Sequence, residues 1–189
     1  NGPTGSFTYT NIIGCNPLQT SFKGSTKRNI SFVWDFADGT TIATRDSAIK
    51  HTYTNPGNYL PKMILVDING CQVPVTGIDT IKVFGVSANF KTSQAILCDS
   101  GSVNFIDSST SNDPIGSYLW TFGDGSTSSQ KDPVHIYQST GSYLTSLVVT
   151  SQFGCKDTLM SPTPVKIVAS PKFEIAGGAN ACIPASENF

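Results

Sequence analysis

The chain has 189 residues with a formal net charge of −1, and only 13% of the residues are charged. Soluble domains usually carry about 25% charged residues, whereas here 23 Ser and 21 Thr make the chain rich in hydroxyl groups. The 12 basic and 13 acidic residues give no electrostatic basis for binding a phosphate backbone. The apolar run at residues 63–66 is far shorter than the roughly 18 residues of a membrane helix. We therefore expect neither nucleic-acid binding nor membrane insertion.

The sequence contains an internal repeat whose matching residues lie 83 to 86 positions apart. The recurring residues are Phe7, Cys15 and Phe22 at an offset of 83, Trp34, Asp38 and Gly39 at 86, and His51, Tyr53, Gly57, Tyr59, Gly70 and Cys71 at 84. A third copy begins with Phe173, Cys182 and Phe189. We therefore predict a first repeat at residues 1–86, a second at 87–170, and the start of a truncated third at 171–189.

The predicted strands follow the same order in both repeats. Residues 31–36 form an alternating strand that runs into Asp38-Gly39, and residues 117–122 run into Asp124-Gly125. An Asp-Gly pair closes a hairpin because glycine accepts a positive φ. Residues 143–150 alternate apolar and hydroxyl side chains with many β-branched members, and no stretch keeps a helical period. The sequence predicts an all-β chain built of tandem β-sandwiches.

Three short motifs in each repeat resemble the PKD (polycystic kidney disease) domain pattern. They are WDFADG at 34–39, HTY at 51–53 and PGNY at 56–59, with WTFGDG at 120–125, HIY at 135–137 and GSY at 141–143. Ala37 replaces the usual glycine in the first repeat, and Thr121 replaces the usual aspartate in the second. The resemblance implies immunoglobulin-like sandwiches arranged like beads on a string. The Gly-Cys pair that follows the penultimate strand, at 70–71 and 154–155, is similar to repeats of large surface proteins of gliding and cellulolytic Bacteroidota.

The resemblance also implies a role outside the cytoplasm. We predict a non-enzymatic module, secreted or at the cell surface, that acts as a spacer, stalk or adhesion scaffold. The alternative is a carbohydrate-binding accessory module of a secreted polysaccharide-degrading enzyme, which would need a row of exposed aromatic side chains. The expected partners are neighbouring repeats of the same chain, and in addition surface polysaccharide or another cell-surface protein.

Each full repeat contains two cysteines, separated by 56 residues in the first (Cys15 and Cys71) and 57 in the second (Cys98 and Cys155). This regular use predicts disulfides, and therefore an oxidising compartment. Zinc fits poorly because the chain has no C-x2-C pair. Cys182 would lack its partner through truncation of the third repeat.

The sequence indicates that these cysteines form disulfides, but it does not determine which cysteines bond each other. One disulfide within each repeat, Cys15–Cys71 and Cys98–Cys155, is the simplest assignment. In a simple antiparallel sandwich, however, the two cysteines of a repeat lie at opposite ends, too far apart to bond unless the first strand bends. The other possibility is a disulfide between neighbouring repeats, which would stiffen the array.

Most side chains that suggest chemistry have a structural explanation. Trp34 and Trp120 recur at mid-strand, which favours core packing over sugar stacking. Asp38 and Asp124 precede glycine, a position at which aspartate usually bonds the backbone of its own turn. No paired carboxylate or nucleophile–base spacing recurs. We predict no catalytic residues and no resident cofactor.

Two kinds of site remain as expectations. Asp107, Asn112 and Asp113 lie in the loop inserted in the second repeat and carry the hard oxygen ligands that calcium prefers. We therefore consider a structural calcium ion in that repeat only. Ser47, Thr80 and Thr158 each follow an aspartate and precede an apolar residue. This triplet resembles the O-glycosylation acceptor of Bacteroidota proteins.

Overall fold

The structure is a computed structural model that describes residues 2–171. It contains strands, turns and loops, and no helix occurs in this part of the chain. A helix long and apolar enough to cross a membrane is accordingly absent from the described residues. Cys182 and all but the first residue of the predicted third repeat lie outside them.

The first repeat is formed by ten strands in three hydrogen-bonded groups. The strands are β1 (Thr4–Thr10), β2 (Ile13–Cys15), β3 (Leu18–Lys27), β4 (Ser31–Asp35), β5 (Thr41–Thr44), β6 (Ala48–Tyr53), β7 (Gly57–Tyr59), β8 (Lys62–Val66), β9 (Gln72–Thr76) and β10 (Ile81–Phe84). One layer contains the groups β1-β3-β6 and β2-β10-β7, and the other contains β5-β4-β8-β9. Only the β2–β10 pair is parallel.

The second repeat reproduces this arrangement with twelve shorter strands. They are β11 (Val86–Ser87), β12 (Phe90–Thr92), β13 (Ile96–Cys98), β14 (Gly101–Asp107), β15 (Thr110–Ser111), β16 (Ile115–Thr121), β17 (Thr127–Ser128), β18 (Val134–Tyr137), β19 (Gly141–Tyr143), β20 (Ser146–Ser151), β21 (Lys156–Met160) and β22 (Val165–Val168). The groups β12-β14-β18 and β13-β22-β19 correspond to one layer, and β17-β16-β20-β21 to the other. The linker between the repeats is Gly85, which separates β10 from β11. The additional pair β11-β15 lies beside it.

The layers pack because alternate side chains of each strand point inward. In β4 the buried residues are Phe32 and Trp34, and their neighbours are half-buried. In β20 the buried apolar residues are Leu147 and Val149. Successive side chains of a strand lie on opposite faces, so one apolar face per sheet is enough to build a sandwich.

Each repeat has a hydrophobic core of its own. The first core contains Phe7, Leu18, Phe22, Phe32, Trp34, Phe36, Tyr53, Met63, Leu65, Ile81 and Val83. The second contains Ala88, Val103, Phe105, Trp120, Phe122, Tyr137, Leu147, Val149, Val165 and Ile167. The two sets share no residue, so the chain is a tandem pair of immunoglobulin-like β-sandwiches, as the sequence predicted.

Candidate functional site: the junction between the repeats

Both tryptophans belong to the cores and are not available to stack on a sugar. Trp34 and Trp120 are each 0% exposed. The indole N–H of Trp120 donates to the carbonyl oxygen of Gln130 at 2.9 Å, whereas the indole nitrogen of Trp34 has no hydrogen-bond partner among the described residues. Core packing, the interpretation favoured by the sequence, is therefore confirmed.

Each repeat has an Asp–His pair at the turn that follows the tryptophan strand. Asp38 Oδ2 lies 2.6 Å from His51 Nε2, and Asp124 Oδ2 lies 2.7 Å from His135 Nε2. The other carboxylate oxygen accepts hydrogen bonds from the backbone N–H and the hydroxyl of the residue two positions later, Thr40 or Ser126. The predicted bond from each aspartate to its own turn is confirmed. The histidine partner was missed, although the joint recurrence of Asp and His was visible in the sequence.

These pairs resemble a Ser–His–Asp triad in composition but not in connectivity. A catalytic triad places the carboxylate on one imidazole nitrogen and the hydroxyl on the other. Here both Asp124 and Ser126 contact Nε2 of His135, and the Ser126 hydroxyl donates to Asp124. The imidazole lies flat on the Phe122 ring, at 4.1 Å between ring centroids and 4° between the planes. The arrangement fixes the turn and provides no proton relay to a nucleophile.

The hydrogen bonds at this turn change the acidity of the aspartate. Burial of Asp124 opposes ionisation, but the bonds from Ser126 and His135 outweigh it and lower its pKa to about 2. The pKa of Asp38 is lowered for the same reasons, against the same effect of burial. The charged carboxylate is therefore the form that stabilises each turn.

A buried tyrosine closes the corner between strands in each repeat. The Tyr53 hydroxyl donates to the carbonyl oxygen of Phe36 at 3.1 Å, and the Tyr137 hydroxyl donates to that of Phe122 at 3.0 Å. Burial raises the pKa of both tyrosines, so they remain neutral donors. Each tyrosine thus packs its ring in the core and uses its hydroxyl to bond the backbone at the corner.

The disulfide in the structure joins the two repeats. Cys15 and Cys155 are bonded with an S–S distance of 2.05 Å and a Cα–Cα distance of 5.5 Å, across 140 positions of sequence. Cys71 and Cys98 are free and exposed. The within-repeat pairs Cys15–Cys71 and Cys98–Cys155 were therefore the wrong assignment.

The reason for this pairing lies in the position of the cysteines along each sandwich. Cys15 ends β2 opposite Phe84, the last residue of the first repeat's final strand. Cys155 lies in the turn between β20 and β21, at the end of the second repeat that faces the first. Because the repeats follow one another head to tail, the two ends that meet carry one cysteine each. The two cysteines of a single repeat lie at opposite ends of it.

Hydrogen bonds from the inserted loop of the second repeat hold the linker. Asn112 Oδ1 accepts from the Gly85 N–H and Asn112 Nδ2 donates to the carbonyl oxygen of Val83, both at 2.9 Å. The Ser111 hydroxyl donates to the carbonyl oxygen of Gly85 at 2.9 Å. Beside the disulfide, the rings of Phe84 and Phe153 pack with centroids 4.5 Å apart. The linker is thus bonded on its backbone and covered by an apolar contact.

Gly85 is required where the chain leaves the last strand of the first repeat. A Cβ at this position would overlap the side chains of Pro56 and Asn16. These residues also border a groove of about 500 Å³ at the junction, whose far wall includes Asp157. The Asp157 carboxylate accepts a hydrogen bond from the Ala88 N–H at 2.8 Å, which fixes the start of the second repeat.

We call the disulfide, the linker bonds and the Phe84–Phe153 contact together the junction.

The residues considered as calcium ligands have other contacts. Asp107 accepts from the Ser109 N–H, Asn112 holds the linker, and Asp113 accepts from the Ser111 hydroxyl and the Phe153 N–H. Within residues 2–171, no group of three or more His, Cys, Asp or Glu side chains is placed to hold a metal ion. Calcium in the second repeat stays a prediction, which a comparison of melting temperatures with calcium and with a chelator tests.

The three residues considered as glycosylation acceptors are all exposed. Ser47 precedes β6, Thr80 precedes β10, and Thr158 lies in β21. Their modification also stays a prediction.

The fold and the junction define a class of protein: tandem immunoglobulin-like sandwiches that are joined covalently. The PKD domain family matches residues 7–83 and residues 87–167. Because the two matches cover most of the chain, it belongs to the PKD domain family. PKD domains are non-catalytic modules, and the matched residues form two of them.

Similar segments occur in much larger bacterial proteins. Collagenase ColQ1 of Bacillus cereus (strain Q1) is 44% identical over 52 residues, which are 28% of this chain and 5% of that protein. A microbial collagenase of Vibrio alginolyticus is 52% identical over 54 residues, 27% of this chain and 7% of that protein. The matched segments therefore correspond to only a small part of the length of these relatives.

Solved structures of single PKD domains are also similar. The PKD1 domain from Vibrio cholerae metalloprotease PrtV is 34% identical, with 44% of this chain and 98% of that chain covered and a TM-score of 0.39. The PKD1 domain of Vibrio anguillarum Epp is 33% identical, with 44% and 95% covered and the same TM-score.

Proposed function

We propose that the chain is a non-enzymatic spacer segment of an extracellular protein, in which two PKD repeats are held in one fixed orientation. The Cys15–Cys155 disulfide between the repeats is the observation that carries this proposal. A covalent bond between two repeats restricts their relative orientation, which suits a module that sets a distance along a chain.

The contacts around the disulfide support a stiff connection. Tandem domains with a flexible linker sample many orientations, because their interfaces are usually small and polar. Here the backbone of Val83, in the last strand of the first repeat, and that of Gly85, in the linker, are bonded to the Asn112 and Ser111 side chains. Bending at the linker would require these hydrogen bonds and the Phe84–Phe153 contact to break, while the disulfide holds the two repeats together.

The same bond and the relatives support an extracellular location. Disulfides persist in oxidising compartments and are rare in the cytosol. Segments similar to this chain occur in two collagenases, and collagen, from which those enzymes are named, is an extracellular protein. We accordingly place the chain in a secreted or cell-surface protein, with neighbouring repeats as its first partners.

Adhesion to a surface polysaccharide or to another surface protein is the second part of the expectation, and it has less support. The two tryptophans and the tyrosines Tyr53 and Tyr137 have their rings in the cores. The exposed large apolar residues are mainly aliphatic, whereas sugar binding uses aromatic faces. Because the aromatic residues that could stack on a sugar are buried, we prefer a spacer function over carbohydrate binding.

Small-angle X-ray scattering tests the spacer proposal. The oxidised chain should have a single, extended distance distribution, and the double variant Cys15→Ser/Cys155→Ser should have a broader one with a flexible linker. The matched control, Cys71→Ser/Cys98→Ser, removes two cysteines without touching the junction and should scatter like the parent. Identical curves for the junction variant and the parent would contradict the proposal. Firm retention of the chain on insoluble cellulose or chitin would favour the carbohydrate-binding alternative.

A further inference from the structure

We propose that Cys98 and Cys71 are the two unmatched halves of the same junction. Cys98 bonds the cysteine of a following PKD repeat that corresponds to Cys71, and Cys71 bonds the cysteine of a preceding repeat that corresponds to Cys98. Disulfides then join every repeat of a head-to-tail array to the next. This inference deepens the proposed spacer function and rests on it.

Cys98 lies in the same backbone frame as the bonded Cys15. Each ends a short strand that pairs in parallel with the last strand of its repeat, Cys15 opposite Phe84 and Cys98 opposite Val168. The N–H of the residue after the cysteine donates to the carbonyl oxygen of that opposite residue, at 2.8 Å in the first repeat and 2.7 Å in the second. Cys98 is thus at the end of the second repeat that points away from the first.

Cys71 lies in the same turn as the bonded Cys155. The N–H of Asp67 donates to the carbonyl oxygen of Cys71 at 3.1 Å, and the N–H of Ser151 donates to that of Cys155 at 2.8 Å. In both turns the glycine before the cysteine has a positive φ, 80° and 97° respectively. The side chain that opens the turn accepts from the N–H of the cysteine in both cases. Cys71 is therefore at the end of the first repeat that points away from the second.

The surroundings of the free thiols differ from those of the bonded pair in exposure rather than in geometry. Cys155 is 3% exposed in the junction, whereas Cys71 and Cys98 are both exposed. Next to Cys98, Val168 occupies the place of Phe84 and is 42% exposed. In the turn that contains Cys71, Ile68 is 81% exposed. Each free thiol thus shares its end of a repeat with an uncovered aliphatic side chain, as expected of an end surface that a neighbouring repeat covers.

The two free cysteines cannot bond each other within one chain, because they lie at opposite ends of the pair of repeats. They are complementary only between successive units. The Asn112 side chain that bonds Val83 and Gly85 belongs to the inserted loop, which the first repeat lacks. Asn69 also occupies the place of Phe153 in the first repeat, so the junction at Cys71 would depend on the disulfide without the ring contact seen between Phe84 and Phe153.

The chemistry of this bond is thiol–disulfide exchange. Each new S–S bond forms when two thiols lose two electrons and two protons, and a small-molecule disulfide such as oxidised glutathione accepts them and is reduced to two thiols. The thiolate of one cysteine attacks the oxidant, and the thiolate of the neighbour then displaces the reduced thiol from the mixed disulfide.

Two variants of the full chain test the proposal, both carrying Cys182→Ser. One adds Cys71→Ser and keeps Cys98, and the other adds Cys98→Ser and keeps Cys71. They are mixed in equal amounts in a glutathione redox buffer, and linked peptides are quantified by mass spectrometry. Random pairing yields twice as much Cys98–Cys71 product as either homodimer. The proposal predicts an excess of the mixed product of about tenfold over that ratio, equivalent to about 1.4 kcal/mol of pairing preference.

The same samples separate the two proposals. A random product ratio with an intact Cys15–Cys155 peptide would overturn the further inference and leave the spacer function standing. Loss of the Cys15–Cys155 peptide in both variants and in the parent would overturn both. Homodimers in excess of the mixed product would also overturn the inference, because they join like ends.

Discussion

Cys15 and Cys155 belong to different β-sandwiches, yet their Cα atoms are 5.5 Å apart and their sulfur atoms are bonded. The bond lies where the last strand of the first repeat meets the turn between β20 and β21 of the second. Its position shows why Cys15 bonds Cys155 rather than Cys71, which is free. The predictions below concern this junction and the Asp–His turns that the two repeats share.

Breaking the disulfide should lower the stability of the pair of repeats. In the chain-entropy account, a cross-link restricts the unfolded chain, and loss of a native disulfide typically costs about 2–5 kcal/mol. We expect the reduced chain, or Cys15→Ser/Cys155→Ser, to lose unfolding free energy within this range in urea titrations. The variant Cys71→Ser/Cys98→Ser should match the oxidised parent, and an equal loss in that control would refute the assignment.

Gly85→Ala should loosen the junction, because the new methyl group would overlap Pro56 and Asn16. The matched control is Gly2→Ala at the equivalent position of the first repeat, where the nearest atom to the added Cβ, Val73 Cγ2, is 3.9 Å away. We expect faster tryptic cleavage at Lys82 for Gly85→Ala and no change for Gly2→Ala. Equal cleavage rates for Gly85→Ala and the parent would show that the linker is not tightly enclosed.

Exchanging glycine and alanine at the equivalent positions Ala37 and Gly123 should change the unfolding free energy in opposite directions. Ala37 has a φ of 63° and Gly123 a φ of 86°, a region that disfavours residues with a Cβ. A Cβ at Gly123 would also lie 2.6 Å from the carbonyl oxygen of Leu144. Ala37→Gly should therefore raise the unfolding free energy by about 0.5–1 kcal/mol, and Gly123→Ala should lower it by more than that. Thermal unfolding of both variants measures this, and a stabilising Gly123→Ala would contradict the conformation of the turn.

Acid should weaken the second repeat through Asp124. The folded-state pKa of Asp124, about 2, lies below that of an unfolded aspartate, about 3.9. The stabilisation by its charge is therefore complete above the unfolded value and is lost as the pH falls from about 4 towards 2. Asp124→Asn should remove this part of the pH dependence and cost about 1–3 kcal/mol at neutral pH, because Ser126 and His135 lose a charged acceptor.

The control for the acid experiment is Asp46→Asn, a change at an exposed aspartate outside the Asp–His turns. Substitutions at such surface positions usually change stability by about 0.5 kcal/mol or less. Chemical denaturation at pH 7, 4 and 2.5 compares the three proteins. A parent and an Asp124→Asn variant with parallel pH profiles would show that the carboxylate does not stabilise the turn.

The sequence was sufficient to predict the repeats, because matching residues recur at a nearly constant offset. It was also sufficient to predict the core residues, because apolar side chains alternate along each strand. Trp34, Tyr53 and their counterparts recur at positions where a sandwich must bury them, and the structure places them there. The Asp–His pairs were not predicted, since the Asp-Gly turn already explained the aspartate. Finding the histidine required the register that brings β6 or β18 beside that turn.

The pairing of the cysteines could not be derived from their spacing. In a head-to-tail array the same spacing arises whether each repeat bonds to itself or to its neighbour. The choice depends on which ends of the sandwiches meet, and the geometry of a single repeat does not contain that information. The hydrogen bonds of Asn112 were not predicted for the same reason, because its partners Val83 and Gly85 belong to the other repeat and to the linker.

Peptide mapping of the oxidised chain without reduction is the most direct test of the covalent junction. After digestion under conditions that prevent thiol exchange, mass spectrometry should find one peptide that links Cys15 to Cys155, with Cys71 and Cys98 not linked within the chain. Peptides that link Cys15 to Cys71 and Cys98 to Cys155 would contradict the account, since each repeat would then be closed on itself and the two would be free to move.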